Sequence, residues 1–234
     1  MRTVFALVSC CVSSALFAAP PAKHIEASYD VSTRGIKIAV ITETFTRSGD
    51  HYRIESVTKP VGLLALFKPD TLDVISEGGV TAEGLHPQSF VYRRSQDTNK
   101  NATASFNWEQ SSLTLDYNDG RYFYSLPADT QDRLSALYQF RYLPSLRERK
   151  ELTMHITDGR KISTRQYLIN SGKTLTVPIG TLETLYLSTP PEKTQWKTEI
   201  WLSVKNGNFP CKIIVTEDNG DQLTQVLTAL SIAQ

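Results

Sequence analysis

The chain has 234 residues, with 25 Lys and Arg against 24 Asp and Glu, and 40% of its residues are hydrophobic. That balance excludes both the basic footprint of a nucleic-acid-binding domain and a strongly acidic tail. The length suits one large domain or two small ones, and the hydrophobic content supports a core without the long apolar spans of a helical membrane protein.

The chain opens Met1-Arg2-Thr3, runs from Val4 to Ala19 without a charge, and continues Pro20-Pro21-Ala22-Lys23. A positive start, an apolar middle and small residues at the end form the pattern of a secretory signal peptide over residues 1–19, cleaved near Ala18 or Ala19. As a transmembrane helix the run is short, at roughly 24 Å against a hydrocarbon core of about 30 Å. The expectation is therefore a periplasmic protein, not membrane-spanning after cleavage, with residues 20–234 as a single β-rich domain. Leu7-Val8-Ser9-Cys10 superficially resembles a lipidation site, but the apolar segment before it is half the usual length and continues past Cys11. Cleavage would leave Cys211 alone, without an internal disulfide, and its place between Pro210 and Ile213-Ile214-Val215 reads as a small buried side chain.

From His24 onward the hydrophobic period is two. Ile25, Ala27, Tyr29, Val31 and Thr33 alternate with Glu26, Ser28, Asp30, Ser32 and Arg34, the pattern of a half-buried strand. After Gly35 the run Ile36 to Phe45 follows, with Ile36, Ile38 and Val40 on one face. Turn signals recur at Ser48-Gly49-Asp50, Gly78-Gly79, Asn118-Asp119-Gly120, Asp158-Gly159, Asn206-Gly207 and Asn219-Gly220. These pairs favour the positive φ angles of tight hairpins, so consecutive strands read as antiparallel neighbours. About fifteen runs are found, more than an open sheet of roughly ten strands carries without curling, splitting or closing. The fold class expected is mainly β: a strongly curved antiparallel sheet forming a barrel, half-barrel or spiral β-roll, with a two-sheet sandwich as the alternative.

Two segments break the alternation. Lys59-Pro60 and Lys68-Pro69 bracket Val61 to Phe67, read as a short core helix or as an apolar loop that covers a cavity or touches a partner. Near mid-chain, Leu134, Leu137, Tyr138 and Arg141 recur at helical spacing behind Asp129, Thr130 and Asp132. This spacing predicts one helix of about three turns, capped by Asp129 or Thr130 and ended by Leu143-Pro144.

Chemistry-bearing motifs are sparse. His24, His51, His86 and His155 lie in four different segments, so no metal site and no cofactor is expected. No nucleophile elbow or phosphate loop occurs, and no catalytic residue is singled out. Asp129 and Asp132 share the two-carboxylate pattern of glycoside hydrolysis, but helix capping explains them more simply. Aromatic residues carry the stronger signal: Tyr122, Phe123 and Tyr124 form a run, and Trp108, Trp196 and Trp201 fall in predicted strands. In a curved sheet such residues either pack a core or line an apolar cavity.

Gly84-Leu85-His86-Pro87, Gln131-Asp132-Arg133-Leu134-Ser135 with Leu137-Tyr138-Gln139, Val177-Pro178-Ile179-Gly180, Trp201-Leu202-Ser203 and the following Pro210 occur in an order that resembles an exported bacterial family, domain of unknown function 3108. The resemblance covers the chain from about Tyr29 to the last strand. It implies a β-rich periplasmic protein of the curved-sheet or spiral-roll type and supplies no activity, cofactor or catalytic residue. Gln131 to Ser135 is similar to that family's helix motif, for which Asp132 as a local cap and Leu134 as a docking residue give a structural reason.

The function expected is a non-enzymatic exported binder of an apolar or amphipathic, lipid-like ligand or of an envelope partner, with no nucleic acid. The candidate binding residues are Leu63, Leu66, Phe67, Tyr122, Tyr124 and Trp201. Two alternatives stand beside it. One is a hydrolase of envelope polymers that brings Asp129 or Asp132 and a histidine together in a cleft. The other is an outer-membrane β-barrel, against which speak the mid-strand charges Glu43, Arg53, Asp73, Arg165 and Lys197.

Overall fold

The computed structural model describes residues 22–143, 145–191 and 196–234, so the expected leader, Cys10, Cys11, Pro144 and Gln195 lie outside the described residues. In chain order the strands are β1 (His24–Thr33), β2 (Ile36–Ser48), β3 (His51–Pro60), β4 (Leu72–Thr81), β5 (Gly84–Arg94), β6 (Ala102–Asn107), β7 (Ser112–Tyr117), β8 (Gly120–Ser125), β9 (Gln131–Asp132), β10 (Glu151–Thr157), β11 (Ile162–Val177), β12 (Gly180–Ser188), β13 (Lys197–Ser203), β14 (Phe209–Thr216) and β15 (Gln222–Ala233). Two α-helices interrupt them, α1 (Gly62–Phe67) after β3 and α2 (Ser135–Gln139) after β9.

All fifteen strands belong to one sheet in the order β8-β7-β6-β5-β4-β3-β2-β1-β15-β14-β13-β12-β11-β10-β9, which replaces the two-sheet alternative. Every pairing is antiparallel except β9 with β10. The sheet is two meanders, β1–β8 and β10–β15, joined where the first strand pairs with the last. It is open: β8 and β9 are its two edges, although only residues 126–130 separate them along the chain.

The two-residue period holds along β1, where Ile25, Ala27, Tyr29 and Val31 are buried. In β2 the buried residues are Ala39, Glu43 and Phe45, while Ile36 is exposed and Ile38 and Val40 are only partly buried. The β1–β2 register shifts at Val31/Ser32, close to the turn, so Ile36, Ile38 and Val40 do not form one face: Ile36 pairs with Thr33 at the exposed end of the core side, and Val40 pairs with the outward Asp30.

Gly78-Gly79 is not a turn but the middle of β4. A Cβ on Gly78 would sit 2.1 Å from the His86 carbonyl oxygen and 2.8 Å from Pro87 Cα, because β5 bulges against it at the Glu77/Gly78 register shift. The glycine admits a close backbone approach.

The helix count is two instead of one. The predicted three turns shrink to Ser135–Gln139, because Gln131 and Asp132 pair in parallel with Ile156 and Thr157. The cap is Asp132, whose Oδ1 accepts the N–H groups of Leu134 and Ser135, both at 2.8 Å. Helix α1 is not a core helix: none of its residues is buried. Trp108 follows β6 and Trp196 precedes β13, so of the three tryptophans Trp201 alone lies within a strand.

Helix α2 stands between two apolar clusters. Leu134 and Tyr138 pack into the larger, with Tyr29, Phe45, Ile54, Phe90 and Phe209, while Ala136 and Phe140 pack into the smaller, with Met154, Tyr167, Ile200 and Ile213. Residues four apart share a helix face, so a helix little more than one turn long serves both clusters.

Candidate functional site

The wall of the site is α2, and buried polar groups hold it in place. Tyr138 donates its hydroxyl to Glu43 Oε2 at 3.1 Å, Ser56 donates to Glu43 Oε1 at 3.3 Å, and the Tyr138 ring lies 5.5 Å from that of Phe45. One turn earlier, Asp132 Oδ2 accepts the Ser76 hydroxyl at 2.5 Å, and Ser76 lies 3.0 Å from the Tyr52 hydroxyl. Gln139 accepts the Leu85 N–H at 2.7 Å and donates to the Glu83 carbonyl at 2.8 Å. The helix is thereby tied to β2, β4 and β5, far from it in the strand order. Burial pushes the Glu43 carboxyl up to about 7 and raises that of Asp132, while hydrogen bonds from Tyr138 and Ser56, and at Asp132 from Ser76 and the helix N–H groups, act in the opposite direction.

Opposite this anchored side, α2 faces a cleft of about 350 Å³. Its floor is apolar: Phe140, Tyr167, Ile200 and Ile213 are all buried. Strand alternation builds the walls, since Ser163, Arg165 and Tyr167 on β11, Thr198 and Ile200 on β13, Ile213 and Val215 on β14, and Leu223 and Gln225 on β15 are two apart and share the cleft side. Along each of these strands exposure rises from the floor toward one end, and Leu223, Lys161 and Arg133 at that end are exposed. Those residues form the mouth.

Charge at the mouth is predominantly positive. Arg133, Lys161 and Arg165 line it with one carboxylate, Asp158, whose Oδ1 already accepts the N–H groups of Arg160 and Lys161 at 3.0 and 3.1 Å in the β10–β11 turn. Among the described residues no carboxylate lies within ion-pair distance of Arg133, Lys161 or Arg165. The Arg165 guanidinium stacks 4.1 Å from the Trp196 ring centroid, which holds its donors beside the opening.

Two larger depressions, of about 930 and 870 Å³, lie along β6–β8. Both are wide and mostly polar, with residues such as Asn99, Asp116, Arg121, Gln88 and Ser105, so a ligand there would bury little apolar surface.

The six candidate binding residues read from the sequence fall into three separate groups, and none lines the cleft. Leu63, Leu66 and Phe67 project from α1. Tyr122 and Tyr124 lie on the edge strand β8, where Tyr122 stacks 4.6 Å from Tyr117. Trp201 faces away from the cleft-lining Ile200, against Tyr186 at 4.9 Å and Lys212 at 5.0 Å. The residues that sequence reasoning missed are Arg133, Lys161 and Arg165, which no motif connects. Arg165 was visible only as a charge inside an alternating strand.

The hydrolase geometry is met in distance but not in place. Asp129 Oδ1 lies 2.6 Å from His155 Nδ1, yet both side chains are open to solvent and neither lines the cleft, while Asp132 is consumed as the buried cap. Cys211 is buried and its thiol is pushed up to about 11 by that burial, so it is not a poised nucleophile. Among the described residues no three His, Cys, Asp or Glu side chains converge as metal ligands, and no helix is long and apolar enough to cross a membrane. An outer-membrane barrel requires a closed sheet, because lipid cannot pair free strand edges; here β8 and β9 leave it open.

A family model described as a protein of unknown function, DUF3108, matches residues 28–228. No curated protein matches the chain. Among solved structures, the chain is similar to a β-barrel-like protein of the domain of unknown function DUF1849 from Brucella abortus, with a TM-score of 0.56 and 12% identity, covering 90% of this chain and 98% of that one. At that identity the likeness concerns the fold alone. A candidate lipoprotein from Parabacteroides distasonis aligns over 90% of this chain and 96% of its own at 11% identity, with a TM-score of 0.38, too low to carry an argument.

Proposed function

The chain belongs to the DUF3108 family, and from that premise, an architecture without an assigned activity, we propose that it is an exported, non-enzymatic protein that binds a single-chain amphiphile with an anionic head group. The observation that carries this reading is the cleft beside α2: a buried apolar floor under a mouth lined by Arg133, Lys161 and Arg165. An acyl chain would lie on Phe140, Tyr167, Ile200 and Ile213, and a carboxylate or phosphate would meet Arg165 and its neighbours in charge-assisted hydrogen bonds. At about 350 Å³ the cleft is near the lower end of ligand sites, roughly 300–1,000 Å³, which favours one chain over two. Export is supported by the charged start and apolar run of residues 1–19.

The half-barrel form of the sheet belongs to the same reading. Laid flat, fifteen strands at about 4.8 Å spacing would separate β8 from β9 by roughly 67 Å. Residues 126–130 span roughly 20 Å at full extension, which supports a form in which the two edges return toward each other. A sheet wrapped in this way accounts for a concave side on which α2 and the cleft sit.

Titration with a fluorescent twelve-carbon carboxylate tests the proposal. Saturable binding is expected, weaker for the matching neutral alcohol and weakened at least about tenfold by Arg133→Gln with Arg165→Gln, in line with the loss of about 1.5–3 kcal/mol for a hydrogen bond to a charged group. No saturable binding, or equal affinity for carboxylate and alcohol in the unaltered protein, would overturn it.

A further inference from the structure

Helix α1 is the most exposed apolar element among the described residues. Leu63, Leu66 and Phe67 are 75, 76 and 84% exposed, and Ile36 on the β1–β2 hairpin beside it is 68% exposed. No residue of α1 is buried and none is charged. The segment is nonetheless fixed: Val61 donates its N–H to the Ile38 carbonyl at 2.9 Å and Lys68 closes the helix onto Leu64 at 2.8 Å. A rigidly held apolar projection in an otherwise well-buried fold calls for an occupant.

We propose that α1 and the β1–β2 hairpin form a docking surface for a bilayer containing anionic phospholipid. Shape and charge both point to this occupant. The apolar side chains stand on a projecting helix of under two turns and do not line a groove, so they suit a deformable acyl boundary better than a preformed protein pocket. Lys59 and Lys68 flank them, and three of the carboxylates at this end are already engaged: Asp30 with Lys37, Asp70 with Arg94 and Asp221 with Arg34, each at 2.6 Å. Asp73 faces Arg93 in the β4–β5 register, and Asp97 and Asp116 pair with Lys100 and Arg121. The carboxylates at this end without an ion-pair partner among the described residues, Asp119, Asp158, Glu217 and Asp218, lie on the β7–β8, β10–β11 and β14–β15 turns, several strands from α1 in the sheet order. The lysines beside α1 thus complement a negative lipid surface, where basic side chains near the headgroups add to apolar insertion.

The register joins this surface to the cleft. Thr33 pairs with Leu223 at the cleft mouth on one side and with Ile36 on the other, and Ala39 pairs with Pro60 just before α1. A protein seated on lipid through α1 therefore turns the end of the sheet that carries the mouth toward the bilayer. The docking surface stands on α1 alone; only its service to the cleft rests on the amphiphile-binding reading.

Co-sedimentation of the purified protein with vesicles of phosphatidylglycerol and phosphatidylcholine, and with phosphatidylcholine alone, tests the surface. Binding is expected to the anionic vesicles and to fall with added salt. The triple variant Leu63→Ser, Leu66→Ser, Phe67→Ser is expected to weaken it at least about tenfold while keeping the melting temperature and the affinity for the fluorescent carboxylate, because these side chains touch neither core nor cleft. Lys59→Gln with Lys68→Gln is expected to remove most of the preference for anionic lipid. An unaltered protein that stays in the supernatant, or a triple variant that sediments equally well, overturns the docking surface and leaves the cleft reading standing. Loss of carboxylate binding with vesicle binding intact does the reverse.

Discussion

At the scale of single residues, the most informative side chain is Glu43, a carboxylate inside the apolar cluster beneath α2. The alternation in the sequence places a charge in the middle of β2 but does not say which side of the sheet it takes. The structure puts it inward, where Tyr138 and Ser56 hydrogen-bond to it and burial lifts its carboxyl to about 7. The consequence for stability has a definite sign. Between about pH 4.5 and 7 the folded protein keeps a proton that the unfolded chain has released, so stability falls as pH rises through that window, by an amount on the order of 3 kcal/mol. Below the window both states are protonated and above it both are ionised, so the contribution levels off. Asp132, shifted in the same direction by burial, adds to the slope. Urea midpoints at pH 5 and pH 8 are therefore expected to differ more for the unaltered protein than for Glu43→Gln; identical pH dependence in the two would count against the buried, protonated state.

At the scale of elements, the strands and most hairpins were legible because period-two burial and turn chemistry are local. Asn118-Asp119-Gly120 illustrates this: Asn118 and Asp119 adopt φ of 49° and 58° between β7 and β8, as a tight turn demands. Gly78-Gly79 misled for a physical reason, since a glycine pair reports either a turn or a close backbone approach and only the neighbouring strand distinguishes them. The two glycines should therefore differ sharply on substitution. Gly78→Ala drives a Cβ into the His86 carbonyl and is expected to cost about 3 kcal/mol or more, whereas the nearest atom to a Cβ on Gly79 is 3.8 Å away and Gly79→Ala should stay within about 1 kcal/mol. Chemical denaturation of the two variants side by side checks the contrast. The short β9 had no periodic signature to find, because two residues in a parallel bridge make no pattern, and the helical spacing after it overstated α2.

At the scale of the whole molecule, the hairpins could be read in order but not the closing relations: the first strand against the last, and a chain that passes from one edge of the sheet to the other in residues 126–130. The candidate site depends on those relations. Arg133 follows β9, Lys161 and Arg165 flank the start of β11, and Leu223 opens β15, so no window of sequence contains them together. The aromatic run at Tyr122–Tyr124 was conspicuous by composition and lies on the edge strand β8, outside the cleft lining, while the apolar segment Leu63–Phe67 was conspicuous and is exposed at the end of the sheet that carries the cleft mouth. The proposed occupant of the cleft beside α2 is an anionic amphiphile. Following backbone and methyl NMR signals during titration with dodecanoate tests it most directly. Saturable shifts centred on Ile156, Ile200, Ile213 and Val215 are expected, weakening when Arg133 and Arg165 are replaced by Gln; no saturable shifts, or shifts centred on β8 around Tyr122 and Tyr124, would place the amphiphile elsewhere or nowhere.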